Sequence, residues 1–234
     1  MIWGTPSLAS LGAMAVYARS YTAYMQEFDY DLDGFVIYRE LIPSKDVDSY
    51  CEFMDKQFFS KGIRSRDDDY TRHPEMRNLL CHEKLAEKCG ELGLSGGVEA
   101  TLANWFYEEV GWHTDRMGSM PREFGVFFSL DYLPPESGRF AIYAGSHRWG
   151  LDLDQCTPGY RGDTNPYLLE VLNNTVEKPY YFDGNKGDVL IWDAESVHRR
   201  TEKTNDAIRK SAVTLCAKRE GLMRHGNGWY YTAT

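Results

Sequence analysis

From Val98 to Tyr107 the chain alternates. Val98, Ala100, Leu102, Asn104 and Phe106 fall on one side of an extended segment; Glu99, Thr101, Ala103, Trp105 and Tyr107 fall on the other. Successive side chains of a strand point to opposite faces, so this pattern predicts a strand. Downstream, EFGVFFSLDYL (123–133) and RFAIY (139–143) are rich in aromatic and branched residues and are broken by PPESG. They predict two further strands. KPYYF (178–182) and DVLIWD (188–193) flank DGNKG, which predicts a hairpin-like turn, and KSAVTLCAKR (210–219) predicts a late strand.

The first part of the chain has a different period. Ser7 to Phe28 holds few breakers and predicts a helix, and GFVIYREL (34–41) predicts a short strand. Ser44 is a candidate N-cap, followed at helical spacing by Val47, Tyr50, Cys51, Met54 and Phe58. RSRDDDYTRHP (64–74) predicts a polar loop. Leu79, Leu80, Leu85, Cys89 and Leu92 predict one more helix, closed by glycines at 93, 96 and 97. Helices first and many short strands later point to a mainly β protein with N-terminal helices. The expected architecture is a double-stranded β-helix, that is, a cupin-like jelly roll. One domain over residues 1–234 is expected, helical over roughly 1–97 and jelly roll over roughly 98–220.

Charge narrows the partners. The formal net charge of −9 speaks against a nucleic-acid or anionic-membrane binder, since both require a basic face. A local basic pocket for a small anion is compatible with it. The five cysteines are scattered without a CxxC pair, which predicts free thiols in a reducing compartment. No run reaches membrane-spanning length, and the apolar stretch Leu8–Ala18 lacks a preceding basic segment, so the expectation is a soluble, cytoplasmic protein. Oligomeric state is not readable.

Candidate chemistry centres on GWHTDR (111–116). In extended chain His113 and Asp115 share a face, so an imidazole and a carboxylate converge there, as a metal site or as a hydrogen-bonded surface pair. His198 follows another strand-like run, GDVLIWDAESV. Two histidines and one carboxylate form the facial triad of non-haem Fe(II) oxygenases, which leaves positions open for a cosubstrate and dioxygen. Arg209 stands at the start of the next strand, and a guanidinium can grip the far carboxylate of a keto-diacid through two parallel hydrogen bonds.

These segments together resemble the phytanoyl-CoA dioxygenase family of Fe(II)/2-oxoglutarate oxygenases. The resemblance runs from DLDGFVIYREL to RKSAVTLCAKR. It rests on HTD (113–115), SLDYLPPESGRFAIYAGSHRWG (129–150), KGDVLIWDAESVH (186–198) and Arg209. It implies iron ligation by His113, Asp115 and His198. It implies that Arg209 binds the far carboxylate of 2-oxoglutarate, with Phe127 lining the cosubstrate pocket. The implied reaction hydroxylates an unactivated C–H bond of a small molecule with Fe(II), 2-oxoglutarate and O2, releasing succinate and CO2. Desaturation, cyclisation or epimerisation on the same scaffold, and a non-catalytic binding module, are the alternatives. Two positions depart from the pattern: Thr114 stands where glutamine is frequent, and Arg200 where a small hydroxyl residue is usual. Asp115 is present, which separates the chain from related halogenases, where a small residue replaces the carboxylate.

Other candidates stay open. Asn104 is either a contact to cosubstrate or substrate or a satisfied buried amide. Arg116, Arg199 and Arg200 are either solvated or contacts to a substrate anion. His147 in GSHRWG is expected to make a structural hydrogen bond, and His73, His82 and His225 show no partner spacing. DLDQCTPGYRGDTNPYLLEVLNN (152–174) reads as an inserted loop that shapes specificity.

Overall fold

A computed structural model describes residues 26–62, 72–94, 96–104, 109–116, 122–156, 163–206, 209–217 and 230–231, with backbone alone for 96–104 and 230–231. The strands in chain order are β1 (Gln26–Glu27), β2 (Phe35–Tyr38), β3 (Gly96–Asn104), β4 (Val110–His113), β5 (Arg122–Ser129), β6 (Phe140–Ile142), β7 (Tyr180–Tyr181), β8 (Val189–Asp193), β9 (His198–Arg200), β10 (Ser211–Ala217) and β11 (Tyr230–Tyr231). The helices are α1 (Tyr30–Asp33), α2 (Ser44–Gln57), α3 (Pro74–Leu80), α4 (Glu83–Glu91) and α5 (Pro166–Asn174). Two antiparallel sheets face each other, one in the order β1-β2-β8-β5-β10-β3-β11 and the other β4-β9-β6-β7. This is the double-stranded β-helix of the jelly-roll class.

The central strands of the large sheet are buried on both faces, which is why they read as unbroken apolar runs. Along β5, Phe124, Val126 and Phe128 turn outward and pack with Tyr50 and Met54 of α2 and Leu79 of α3. Phe127, between them, turns inward with Phe140, Leu190 and Trp192. Strands β2 and β8 divide the same way: Val36, Tyr38, Val189 and Ile191 face the helices, while Phe35, Ile37, Leu190 and Trp192 face the small sheet. Each fully buried Phe or Leu side chain contributes roughly 1.5–3 kcal/mol relative to exposure. A third cluster covers the outer face of the small sheet with Trp112, Tyr143, Val197 and Leu168 of α5.

Four expectations are corrected. The predicted helix Ser7–Phe28 does not reach its end, because Gln26 and Glu27 pair with Tyr38 and Ile37, and Phe28 adopts φ 70°. Packing of the Phe28 ring on Phe35, with centroids 4.4 Å apart, accompanies that conformation. Residues 7–25 lie outside the described ones. The single helix carrying Leu79 to Leu92 is two, α3 and α4, because Cys81 and His82 leave helical geometry and His82 Nδ1 accepts from the Lys84 amide to start the second. Ser44 is the first helical residue rather than the cap; Pro43 caps, with no side-chain bond. The DGNKG turn does not close a hairpin, since β7 pairs with β6 in the small sheet while β8 pairs with β2 and β5 in the large one.

That segment is a crossover, and it is held by Asp188. This carboxylate is buried and accepts from Arg39 Nη1 (2.7 Å), the Glu40 amide (2.9 Å) and the Asn185 amide (3.0 Å). Gly187 beside it has φ 91°, and a Cβ there would lie 2.4 Å from the Ile42 carbonyl oxygen, so the position admits no side chain. The inserted segment 152–174 contains α5, started by Asn165, whose side chain accepts from the Tyr167 amide, with Pro166 as first helical residue.

Candidate metal centre

Strand β4 is bulged. Val110 stands opposite Arg200 and His113 opposite His198, so three steps on β4 match two on β9. The bulge places His113 beside His198, with ring centroids 4.3 Å apart. The alternation argument for His113 and Asp115 is half right. The strand ends at His113, and Asp115 arrives through a bend in which its amide and that of Arg116 both donate to the Ala194 carbonyl, at 2.8 and 2.9 Å. Ala194 lies four residues before His198, so the loop that delivers the carboxylate is tied to the loop that delivers the second histidine.

That second loop is pinned at two points, and the second of these is itself anchored. Ser196 Oγ donates to the Gly34 carbonyl, the Val197 amide donates to Ser146 Oγ, and Ser146 Oγ donates to the Tyr143 carbonyl. The GSH segment therefore serves position rather than ligation, and His147 Nε2 lies 3.2 Å from the Asp31 carbonyl oxygen, the structural role expected for it.

His113, Asp115 and His198 are buried, and one ligand-type atom of each lies within 4.8 Å of the others. The two imidazoles are oriented alike. His113 Nδ1 is 2.8 Å from the Gly111 carbonyl oxygen and His198 Nδ1 is 2.9 Å from that of Ser196. A carbonyl only accepts, so each Nδ1 carries a proton and each ring turns its Nε2 toward the carboxylate. The Nε2 atoms lie 3.9 and 3.2 Å from the two Asp115 carboxylate oxygens. Burial, and then the neighbouring His198, lower the His113 pKa to about 4, so this ring is neutral at pH 7. Burial alone would raise the Asp115 carboxyl, but His198, His113 and Arg122 outweigh it and hold the group well below the usual carboxylate range. Trp192 Nε1 donates to Asp115 Oδ2 at 3.0 Å, and Phe140 stacks on His198 at 5.2 Å. Two imidazoles and one ionised carboxylate, each oriented by a neighbour, fit a divalent iron.

A cavity of about 310 Å³ opens on this cluster and is lined also by Phe127, Phe140, Trp192 and Arg209. Arg209 is buried, and its guanidinium lies over the Phe127 ring, 5.0 Å from the centroid. The structure thus brings His113, Asp115, His198, Phe127 and Arg209 to one cavity. Asn104 closes β3 opposite Ser211, and its side chain lies outside the described residues, as do Trp105, Tyr107, His225 and the acidic run 67–69. Arg116 pairs with Glu195 at the surface, away from the cavity. Thr114 is buried, its Oγ1 donating to the Arg116 carbonyl oxygen. Trp192, Phe140 and Arg122 are lining residues that the motifs did not single out. The signal for Trp192 was its place on the inward face of the strand leading to His198.

A jelly roll with two histidines and a carboxylate clustered on the wall of a cavity defines a class: the non-haem iron, 2-oxoglutarate-dependent oxygenases. Within that class the chain belongs to the phytanoyl-CoA dioxygenase (PhyH) family, whose sequence pattern matches residues 30–211. Solved structures share the fold. The epimerase SnoN in complex with Fe3+, alpha ketoglutarate and nogalamycin RO superposes with TM-score 0.65 at 18% identity, over 91% of this chain and 85% of that one. The non-heme alpha ketoglutarate dependent carbocyclase SnoK, from nogalamycin biosynthesis, gives 0.62 at 18%, covering 81% of each. HygX from Streptomyces hygroscopicus, with nickel and 2-oxoglutarate bound, gives 0.60 at 16%, over 82% and 84%. No curated protein matches the sequence significantly. Among the described residues no helix is long and apolar enough to cross a membrane.

Proposed function

We propose that the protein hydroxylates an unactivated C–H bond of a small organic metabolite, converting 2-oxoglutarate and O2 to succinate and CO2 as the hydroxyl is installed. In this reading His113, Asp115 and His198 hold Fe(II), and Arg209 receives the far carboxylate of 2-oxoglutarate against Phe127. One observation carries it: the three ligand atoms cluster within 4.8 Å on the wall of a cavity that also holds a buried guanidinium. The bound iron supplies the activation of dioxygen. The chain supplies the rest. Nδ1–H bonds fix the histidine tautomers, Trp192 holds one Asp115 oxygen, Arg209 sets the direction of the diacid, and Phe127, Phe140 and Leu215 keep water from the reacting carbon.

The helical part and the jelly roll are read as one domain, since α2 to α4 bury their apolar faces on the large sheet. Five cysteines without disulfides support a reducing, cytoplasmic setting. A second reading, epimerisation or ring closure, is favoured by the fold shared with SnoN and SnoK. Product mass separates them: hydroxylation adds one oxygen, ring closure removes two hydrogens and epimerisation changes nothing.

The test is anaerobic reconstitution with Fe(II) and 2-oxoglutarate, followed by oxygen. Succinate should form slowly even without substrate, His113→Ala should abolish it, and Arg209→Ala should raise the 2-oxoglutarate KM at least tenfold. Absence of succinate from iron-loaded, 2-oxoglutarate-bound protein, with and without candidate substrates, would support the binding-module alternative.

A further inference from the structure

The register of β4 against β9 runs from Val110 opposite Arg200 to His113 opposite His198, so Gly111 and Trp112 share a single opposing residue, Arg199. The ladder is interrupted there. The Trp112 amide donates to Thr164 Oγ1 at 3.0 Å, and the Gly111 carbonyl oxygen is taken by His113 Nδ1 at 2.8 Å. The backbone pairing of the two strands is therefore weakest directly beside the two histidines they carry.

Side chains bridge the gap. The Arg199 guanidinium lies over the Trp112 ring, 4.9 Å from its centroid, and its buried Nε has no hydrogen-bond partner among the described residues. Trp112 is buried and packs on Tyr143, with ring centroids 4.8 Å apart, in the cluster that covers the outer face of the small sheet. Arg199 borders the cavity, yet it stands opposite Ala141, a member of that outer cluster, whereas Arg200 stands opposite the inward-facing Phe140. Neighbouring residues of an extended chain point to opposite faces. Trp112 directly precedes His113, and Arg199 directly follows His198. Whatever holds Trp112 and Arg199 on the outer face therefore turns the two imidazoles inward, where their centroids lie 4.3 Å apart.

We propose that Arg199 and Trp112 are positioning residues, a cation–π clasp on the outer face of the small sheet that closes the β4 bulge and fixes His113 opposite His198 for the metal. The inference rests on the oxygenase reading, since it takes both histidines as metal ligands. A slip of one residue exchanges the two faces of a strand, and at an interrupted ladder the backbone opposes such a slip least. A guanidinium over an indole opposes it by an amount equivalent to about two- to thirtyfold in an equilibrium constant. The sign of the effect separates position from charge. Taking a positive charge away from the neighbourhood of a cation site would by itself tighten metal binding, whereas loss of the clasp weakens it.

The experiment is titration of metal-free protein with Co(II), read as affinity and as the cobalt d–d absorption spectrum. Arg199→Met keeps the apolar stem and drops the cation. It should weaken Co(II) binding about three- to thirtyfold and change the spectrum. Arg199→Lys should recover at least about half of that loss on a logarithmic scale. In a Trp112→Leu background, Arg199→Met should have less than about half the effect it has in wild type, because the two side chains act as one unit. Thermal unfolding of the metal-free variants confirms that each folds; if Trp112→Leu does not, the contrast between Arg199→Met and Arg199→Lys decides alone. A methionine variant that unfolds at lower temperature but matches wild type in Co(II) affinity and spectrum overturns the proposal, since the contact is then structural only. Tighter binding, a lysine variant no better than methionine, or fully additive losses overturn it as well. Wild-type protein that binds no Co(II) brings down the metal reading and the clasp with it, whereas variants that match a metal-binding wild type bring down the clasp alone.

Discussion

Trp192 shows how much one side chain carries at this site. Its indole fills the core between the sheets, donates to Asp115 and tilts against His198 at 5.3 Å. Partners that orient a metal ligand typically contribute ten- to hundredfold in metal affinity or activity. Trp192→Phe removes the donor and part of the buried volume, so we expect roughly tenfold weaker Fe(II) binding together with a loss of about 1–2 kcal/mol in stability, read by metal titration and unfolding on the same sample. The residue facing it is Gly125, where a Cβ would lie 2.1 Å from the indole. Gly125→Ala should therefore destabilise by about 1–3 kcal/mol, the usual cost of overpacking a core, measured as a lowered urea midpoint. At this scale the triad was readable because its residue types and the strand-like runs before them are local. Arg122 was not readable as a cavity residue, since nothing near it in the chain marks the end of β5 as the far wall of a pocket.

The elements themselves were legible where period and burial agree. Strands β5, β8 and β10 are apolar on both faces because both faces are covered, and α2 shows its buried stripe at Val47, Tyr50 and Met54. Boundaries were lost where a partner distant in sequence decides them. KPYYF and DVLIWD looked like a hairpin because the turn chemistry between them is sound; they part because Arg39 and Glu40, far upstream, claim Asp188. Asp188→Ala leaves Arg39 with Glu27 and the Asp183 carbonyl and frees two backbone amides. Breaking a buried pair of this kind typically costs about 3–5 kcal/mol, and the expected result is a fall in the denaturant midpoint of that order. Asp188→Asn, which keeps an acceptor for the amides, should recover part of the loss. Helix α5 is the opposite case: its signal, asparagine then proline ahead of an apolar run, was present in the sequence and was read as loop.

For the whole molecule, burial sets the behaviour of the thiols and the response to alkali. Cys51 and Cys156 are pushed up to about 11, and Cys81 and Cys89 to about 12, chiefly by desolvation. A raised thiol pKa means that the folded chain holds protons the unfolded chain releases above about pH 9. The stability this represents is complete below that pH and is lost as pH rises toward 11 to 12. Urea midpoints should accordingly fall from pH 8.5 upward, and a thiol reagent at pH 8 should react slowly with native protein and with five thiols after unfolding. Rapid labelling of more than one native thiol would contradict the described packing.

By itself the sequence determined where strands β2, β3, β5, β6, β8 and β10 run, which residue types could form a metal site, and the family to which both point, because side-chain period and motif chemistry are written in neighbouring positions. Only the tertiary structure decided that His113 meets His198 across a bulge, that the predicted hairpin is a crossover between sheets, and that four arginines of an acidic chain are among the described residues lining one cavity. Each of these depends on residues brought together by sheet closure, and no local pattern encodes which strand will lie beside which.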